Sequence, residues 1–312
     1  MGPNRESDSS VAILLATYNG AAFLREQLAS YEAQHHGNWQ VWASDDGSTD
    51  GTLEILAEYQ DRWPGRMKVV AGPKQGFVTN FLSLVYRPEI QADYYAYSDQ
   101  DDVWDGDKLA RAVAWLSMAP ASVPALYCGR TRLVDEQGRP CGFSPLMQRP
   151  PSFANALMQN IAGGNTMVFN QAARALLQEA GPKVEVVTFD WWTYLVVTGC
   201  GGQVCYDPVP SLNYRQHGKN LVGASLSWSK RWSRLGFMWK RRYVFWADIH
   251  VRALQRLESH LTLENALTLR TFLWARQQPL KGRLLGLKRS GVHRQHVIGQ
   301  LGLLVAALFN RV

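Results

Sequence analysis

The chain is poor in several things, and each scarcity excludes a class of protein. It has only four cysteines in 312 residues. Cys128, Cys141, Cys200 and Cys205 show neither C-x-x-C spacing nor a disulfide-dense pattern, so a reducing cytoplasm is the expected compartment. No secretory signal is visible, because Met1 to Ser10 is polar and leads straight into an apolar run. The apolar stretch Val297 to Phe309 is 13 residues long, short of the about 20 that a bilayer-spanning helix needs, and it reads as a packing or interfacial helix. Internal repeats and low-complexity tracts are absent. Acidic residues are scarce in the last third: residues 215–312 hold 18 Lys and Arg against 3 Asp and Glu. Residues 1–214 hold 15 against 23, so the chain's net charge of +7 belongs to its C-terminal part. With 46% apolar residues the chain is not disordered.

What is present is an ordered series of apolar runs, each closed by a polar loop. Val11 to Ala16 is continuously apolar, as a strand buried on both faces should be, and it opens onto Thr17-Tyr18-Asn19-Gly20. Phe23, Leu24, Leu28 and Tyr31 then recur at helical spacing between Ala22 and Ala33. Trp39 to Ser44 reads as a second strand, Asp45 to Thr52 as a loop with a helix cap, and Thr52 to Trp63 as a helix. Met67 to Ala71 is a third strand ending at Gly72-Pro73. Strands alternating with helices at this spacing predict a doubly wound, mostly parallel α/β sheet flanked by helices. Ligands of such sheets bind beyond the carboxyl ends of the strands, where all these polar loops lie.

The most informative loop is Ser98-Asp99-Gln100-Asp101-Asp102-Val103-Trp104, directly after the run Tyr94-Tyr95-Ala96-Tyr97. Its carboxylates concentrate hard oxygen ligands where a divalent cation and a phosphate can meet. Asp105 and Asp107 are weaker candidates, because Asp107 precedes Lys108 to Leu116 and fits a helix N-cap.

Together Leu15-Ala16-Thr17-Tyr18-Asn19-Gly20, Ser44-Asp45-Asp46-Gly47-Ser48-Thr49-Asp50 and the acidic turn resemble the family 2 glycosyltransferases, which have the GT-A nucleotide-sugar-binding fold. The resemblance spans about residues 10 to 225, with the motifs in the right order and at compatible spacings. It implies a GT-A catalytic domain over residues 1–225, with a donor half at about 10–120 and an acceptor half at about 121–225. Residues 226–312 then form a basic, aromatic-rich helical extension, the boundary falling near Leu221 to Trp228.

The resemblance also implies roles. Thr17, Tyr18 and Asn19 pack along the nucleotide and Asp46 contacts its base, although an Asp there also caps the turn at Gly47. Gly76 to Asn80 lines the nucleotide pocket, with Lys74 or Asn80 reaching the ligand, and Gln100 belongs to the same donor site. Asp101 is the direct ligand of Mg2+ or Mn2+, and Asp99 contacts ribose or metal-bound water. In Tyr214-Arg215-Gln216-His217-Gly218-Lys219-Asn220, His217 is an additional metal ligand and Arg215 or Lys219 neutralises phosphate. Such a cation stabilises the departing diphosphate without proton transfer.

An acceptor hydroxyl needs a general base, and the resemblance assigns this to Asp190 in Thr188-Phe189-Asp190-Trp191-Trp192. The same residue also suits a helix N-cap, and the dipole at a helix N-terminus favours the ionised form a base needs. Trp191 and Trp192 offer a face for sugar stacking. Gly163 and Gly164 permit close backbone approach, Asn165 and Thr166 stand where they can hydrogen-bond a sugar, and Thr166 to Phe169 reads as a strand; a plain turn explains the glycines equally well.

Trp228 to Trp246 interleaves cations with large aromatics. Such a segment suits the surface of an anionic membrane, or it packs on the core as a bundle with a solvated basic face; no recognised nucleic-acid module accompanies it. Within the family, the acidic turn combined with Tyr214-Arg215-Gln216-His217-Gly218 looks most like bacterial rhamnosyltransferases and related O-antigen or capsule enzymes, and the resemblance implies an inverting, metal-dependent glycosyltransferase acting at the cytoplasmic face of a bacterial membrane. Its expected substrates are a nucleotide diphosphate sugar, dTDP-rhamnose first and a UDP-sugar next, and a glycan acceptor that is lipid-linked. A carbohydrate-binding protein on the same fold has little need for both Asp101 and Asp190. A nucleotidyltransferase is expected to carry a cationic triphosphate loop that Thr17 to Ala22 lacks.

Overall fold

The first strand shows why the chain folds around it. In β1 (Val11–Thr17) every residue is buried. Val11, Ile13 and Leu15 enter one apolar cluster while Ala12, Leu14 and Ala16 enter another. Alternate side chains of a strand point to opposite faces, so a continuous apolar run belongs in a sheet covered on both sides. The computed structural model, which describes residues 8–218 and 242–312, builds that sheet around β1.

Helix α1 (Leu24–Glu32), β2 (Trp39–Asp45), α2 (Thr52–Arg62), β3 (Met67–Ala71), α3 (Phe77–Tyr86) and β4 (Tyr94–Ser98) follow in order. After β5 (Val103–Trp104) and α4 (Lys108–Leu116) come β6 (Ala125–Gly129), β7 (Arg132–Val134), β8 (Pro140–Phe143) and the short α5 (Phe153–Ala156). The chain continues through β9 (Val168–Asn170), α6 (Gln171–Glu179), α7 (Phe189–Gly199), β10 (Gln203–Asp207) and β11 (Leu212–Arg215). The main sheet has seven strands in the order β10-β6-β9-β4-β1-β2-β3. A second sheet has the order β5-β11-β7-β8.

The strands expected at the start of the chain stand where the pattern places them, and β1, β2, β3 and β4 run parallel. Two features depart from expectation. β9 is antiparallel to both β4 and β6, so the parallel order is interrupted in the middle of the sheet. β9 also starts two residues later than expected, because Gly164–Thr166 forms a single 3-10 turn. Register brings the carboxyl ends of the parallel strands level: Thr17 lies opposite Asp45, Asp45 opposite Ala71 and Leu15 opposite Ser98. All three polar loops therefore leave one edge.

Helices α8 (Arg242–Leu254), α9 (Leu263–Gln277), α10 (Leu280–Arg289) and α11 (Val297–Leu308) make the described part of the C-terminal region helical, as expected. They share a core with the sheet-bearing part of the chain: Leu254, Phe272, Leu287 and Leu303 belong to the same apolar cluster as Trp192 and Leu195 of α7. The stretch Trp228 to Arg241 and the boundary near Leu221 to Trp228 lie outside the described residues.

At the seam between α7 and α8, His250 is 2% exposed. Its ring meets that of Trp191 edge-on at 4.5 Å, and the Val187 N–H donates to its Nε2 across 3.4 Å. Burial pushes this imidazole down to about 3, while in the unfolded chain it titrates near its ordinary value of about 6.5. Between these values the unfolded state binds the extra proton, so stability rises with pH in that window. Acidification from pH 7 to pH 5 is expected to remove about 2 kcal/mol through this one group. Urea unfolding at the two pH values checks this, because His250→Gln should flatten the slope; an unchanged slope would remove His250 as its source.

Candidate active site

Asp45 organises the first two loops. It accepts hydrogen bonds from Thr17 Oγ1 at 2.9 Å, Ser48 Oγ at 2.5 Å, and the N–H groups of Gly47 at 3.1 Å and Ser48 at 2.8 Å. Asn19, in the left-handed region at φ 49°, adds a latch: its Oδ1 accepts from Thr49 N–H at 2.8 Å, and its own N–H donates to Ser48 Oγ. Asp46 reaches the other way. Its two oxygens accept from the N–H groups of Lys74 and Gly76, at 2.6 and 2.8 Å, which fixes the loop after β3.

Gln100 ties the acidic turn to the first loop. Its amide accepts from Tyr18 N–H at 2.8 Å and donates to Tyr18 O at 3.0 Å. Gly20 makes room for this side chain, since a Cβ there would stand 2.2 Å from Gln100 Oε1. The Tyr18 ring is exposed, and so is Lys74.

The second sheet brings distant residues to the acidic turn, because β5 pairs with β11 immediately after Asp102. His217 Nε2 then lies 2.6 Å from Asp101 Oδ2, with its ring beside that of Phe23 at 5.2 Å. Asp102 is fully buried; it accepts from Asn165 Nδ2 at 2.5 Å and from Arg215 N–H at 3.4 Å. Burial, then Asp101 and Asp99, push its carboxyl well above the usual range. Burial likewise pushes Asp99 up to about 8, helped by Asp101 and by Asp190. Asn165, which holds Asp102, follows Gly164, whose N–H donates to Asp190, so one short segment joins the acidic turn to Asp190.

Asp190 is the second residue of α7, whose N-cap is Thr188, so it is not itself the cap. Its carboxylate accepts from Trp191 N–H at 2.7 Å and from Gly164 N–H at 3.1 Å. Burial raises its pKa against these hydrogen bonds, and a carboxylate shifted toward neutrality is a better proton acceptor. The close approach expected of the glycine pair is realised at Gly164, where a Cβ would stand 2.4 Å from the Phe189 ring.

Several expected contacts are corrected by burial. Trp192 is 0% exposed and Trp191 is buried, its indole N–H donating to Ala156 O at 2.7 Å, so neither presents a sugar-stacking face. Asn165 and Thr166 are enclosed as well. Asn165 holds Asp102, while Thr166 Oγ1 donates to Gly163 O and accepts from Gly129 N–H. Arg215 is 2% exposed and clamps the turn instead of meeting phosphate: it donates to Asp101 O, Glu136 O and the Glu26 carboxylate, its guanidinium over the Phe23 ring. Asn80 is buried behind the pocket, both ends of its amide paired with Ser44. Thr17 is buried and acts through Asp45. Lys219 lies outside the described residues.

Three contributors were missed. Phe23 reads as one more apolar position of a helix, yet it stands at the N-cap under Arg215 and beside His217. Glu26 reads as an ordinary exposed acid. Lys108 is fully buried with its Nζ over the Trp104 ring at 3.9 Å, and burial pushes it down to about 7 against the pull of Asp102. A lysine amid Leu109, Ala112 and Val113 carries no signal of burial beyond its place at the start of α4.

A largely parallel sheet with an acidic turn and a buried carboxylate at its carboxyl edge defines the class as a GT-A glycosyltransferase. The chain superposes on S. aureus TarS residues 1–349 in complex with UDP-GlcNAc with a TM-score of 0.56 at 13% identity, covering 96% of this chain and 90% of that one. It superposes on the mannosyltransferase PcManGT from Pyrobaculum calidifontis, in complex with GDP-Man and Mn2+, with a TM-score of 0.53 at 17% identity, covering 97% and 86%. Residues 12–180 match glycosyl transferase family 2, and the chain belongs to that family. Among its relatives, the dTDP-rhamnosyl transferase RfbG of Shigella flexneri is 28% identical over 242 residues, 74% of this chain and 82% of that protein.

Gly164→Ala should force the Phe189 ring and Asp190 aside, costing about 1–3 kcal/mol in denaturant unfolding and slowing turnover. Gly37→Ala, where a Cβ meets nothing within 4 Å, should be silent within about 0.5 kcal/mol. Equal stabilities of the two variants would contradict the close approach.

Proposed function

We propose that the protein is an inverting, metal-dependent glycosyltransferase that moves rhamnose from dTDP-rhamnose to a hydroxyl of a growing, lipid-linked glycan in bacterial surface polysaccharide synthesis. The observation that carries this reading is the meeting of the acidic turn and Asp190 across one short segment, where Gly164 N–H donates to Asp190 and the next residue, Asn165, donates to Asp102. The likeness to RfbG supports the choice of donor.

On this reading Tyr18, Asp46 and Lys74 bind the nucleotide, and Asp99 the ribose. Among the described residues no group of three or more His, Cys, Asp or Glu side chains is arranged to hold a metal alone. The paired Asp101 and His217, with Asp99 crowded beside them, still suit Mg2+ or Mn2+ when diphosphate and water oxygens complete the shell. When bound, the cation supplies charge stabilisation for the leaving diphosphate. Asp190 takes the proton of the acceptor hydroxyl as its oxygen forms a bond to the anomeric carbon. The bond from that carbon to the diphosphate oxygen breaks with its electron pair, leaving the nucleoside diphosphate and an inverted centre.

Incubation with a panel of nucleotide sugars and Mn2+ or Mg2+ should release nucleoside diphosphate, fastest from dTDP-rhamnose. Asp190→Asn should lower kcat by about 10²–10⁴-fold with the donor KM little changed, and chelation should abolish turnover, as should Asp101→Ala. Full activity of Asp190→Asn would place the base elsewhere; turnover in chelator would remove the metal.

A further inference from the structure

Helix α11 has an apolar face that the rest of the described protein does not cover. Val297, Ile298, Leu301, Leu304, Val305 and Leu308 are all exposed, Ile298 by 82% and Val297 by 76%. At 3.6 residues per turn these positions fall within an arc of about 120°. Leu303 and Ala307, on the other side of the helix, are buried in the core. The helix is therefore oriented by its inner face, and its outer face is left to meet something else.

The surroundings select the occupant. Residues 297–309 contain no charged side chain, and no Asp or Glu occurs after Glu264. Lys281, Lys288 and Arg289, on the neighbouring α10, are exposed, and α10 packs against α11 through Arg283, whose Nη1 donates to Ala307 O at 2.7 Å. A second copy docking on this face would bring the α10 cations against their counterparts, and Asp248, the carboxylate that lies beside Asn310 and Val312 beyond the end of α11, is already paired with Arg276 at 2.6 Å. Anionic headgroups above acyl chains answer both the cations and the apolar row. The helix is about 18 Å long, against a hydrocarbon core of about 30 Å, and no helix among the described residues is long and apolar enough to cross a membrane.

We infer that α11 lies in the plane of an anionic bilayer surface, its apolar row in the headgroup–acyl boundary and the exposed cations of α10 on the headgroups. The full chain should sediment with phosphatidylglycerol-containing vesicles, more weakly with phosphatidylcholine alone, and less in high salt. Leu301→Asp/Leu304→Asp should weaken vesicle binding at least tenfold while keeping the wild-type melting temperature and nucleoside diphosphate release, because both side chains are exposed and neither belongs to the machinery described above. Lys288→Glu/Arg289→Glu should remove the preference for anionic vesicles.

Wild-type binding by the apolar-face variant would overturn the inference, as would failure of the native chain to bind either vesicle. A dimer in light scattering that this variant dissociates, without vesicle binding, would make the face a protein interface instead. Sedimentation is read without turnover, so either failure leaves the sugar-transfer reading untouched.

Discussion

Crowding of negative charge at one sheet edge is the constraint on which the local structure depends. Asp45, Asp46, Asp102 and Asp190 are each met by hydrogen-bond donors, mostly main-chain N–H groups, and not by side-chain cations. Those donors dictate how the loops run. The left-handed residues Asn19, Gly47, Lys74 and Gly76 all sit in the turns that wrap these carboxylates. Arg215, the cation best placed to relieve the acidic turn, spends its guanidinium on carbonyls and on Glu26. Asp101 meets His217 Nε2 at 2.6 Å instead, and Asp99 stays half-buried beside it.

Much of this fold was legible because parallel strands buried on both faces require continuous apolar runs, and the loops closing those runs must share an edge. Val11 to Ala16 and Tyr94 to Tyr97 announced themselves in this way and placed the acidic turn beside the first two polar loops, whereas Asp190 was reached only through the resemblance to a family. Strand direction was less accessible. β9 has the side-chain pattern of its neighbours, and nothing in a period of two tells whether a strand runs with or against them.

The harder information was which polar residues face the crevice and which face inward. Asn165, Arg215 and Asn80 stand in the expected segments, yet each is turned toward a partner on another element: Asn165 toward Asp102, Arg215 toward Asp101 and Glu26, Asn80 toward Ser44. Local spacing carries no trace of partners tens of residues or more away. Trp191 and Trp192 misled for a related reason, since an aromatic after a catalytic carboxylate serves a sugar or a core equally well until the packing behind it is known. Here α8 and His250 supply that packing.

The core shared by α7 and the C-terminal helices bears on how the protein comes into being. The back of the helix that carries Asp190 is covered by residues 242–312, which leave the ribosome after every strand of the sheet has been made. A nascent chain stopped at β11 therefore has an uncovered apolar flank behind Asp190. The helix that carries this carboxylate is braced only once residues 242–312 have folded against it.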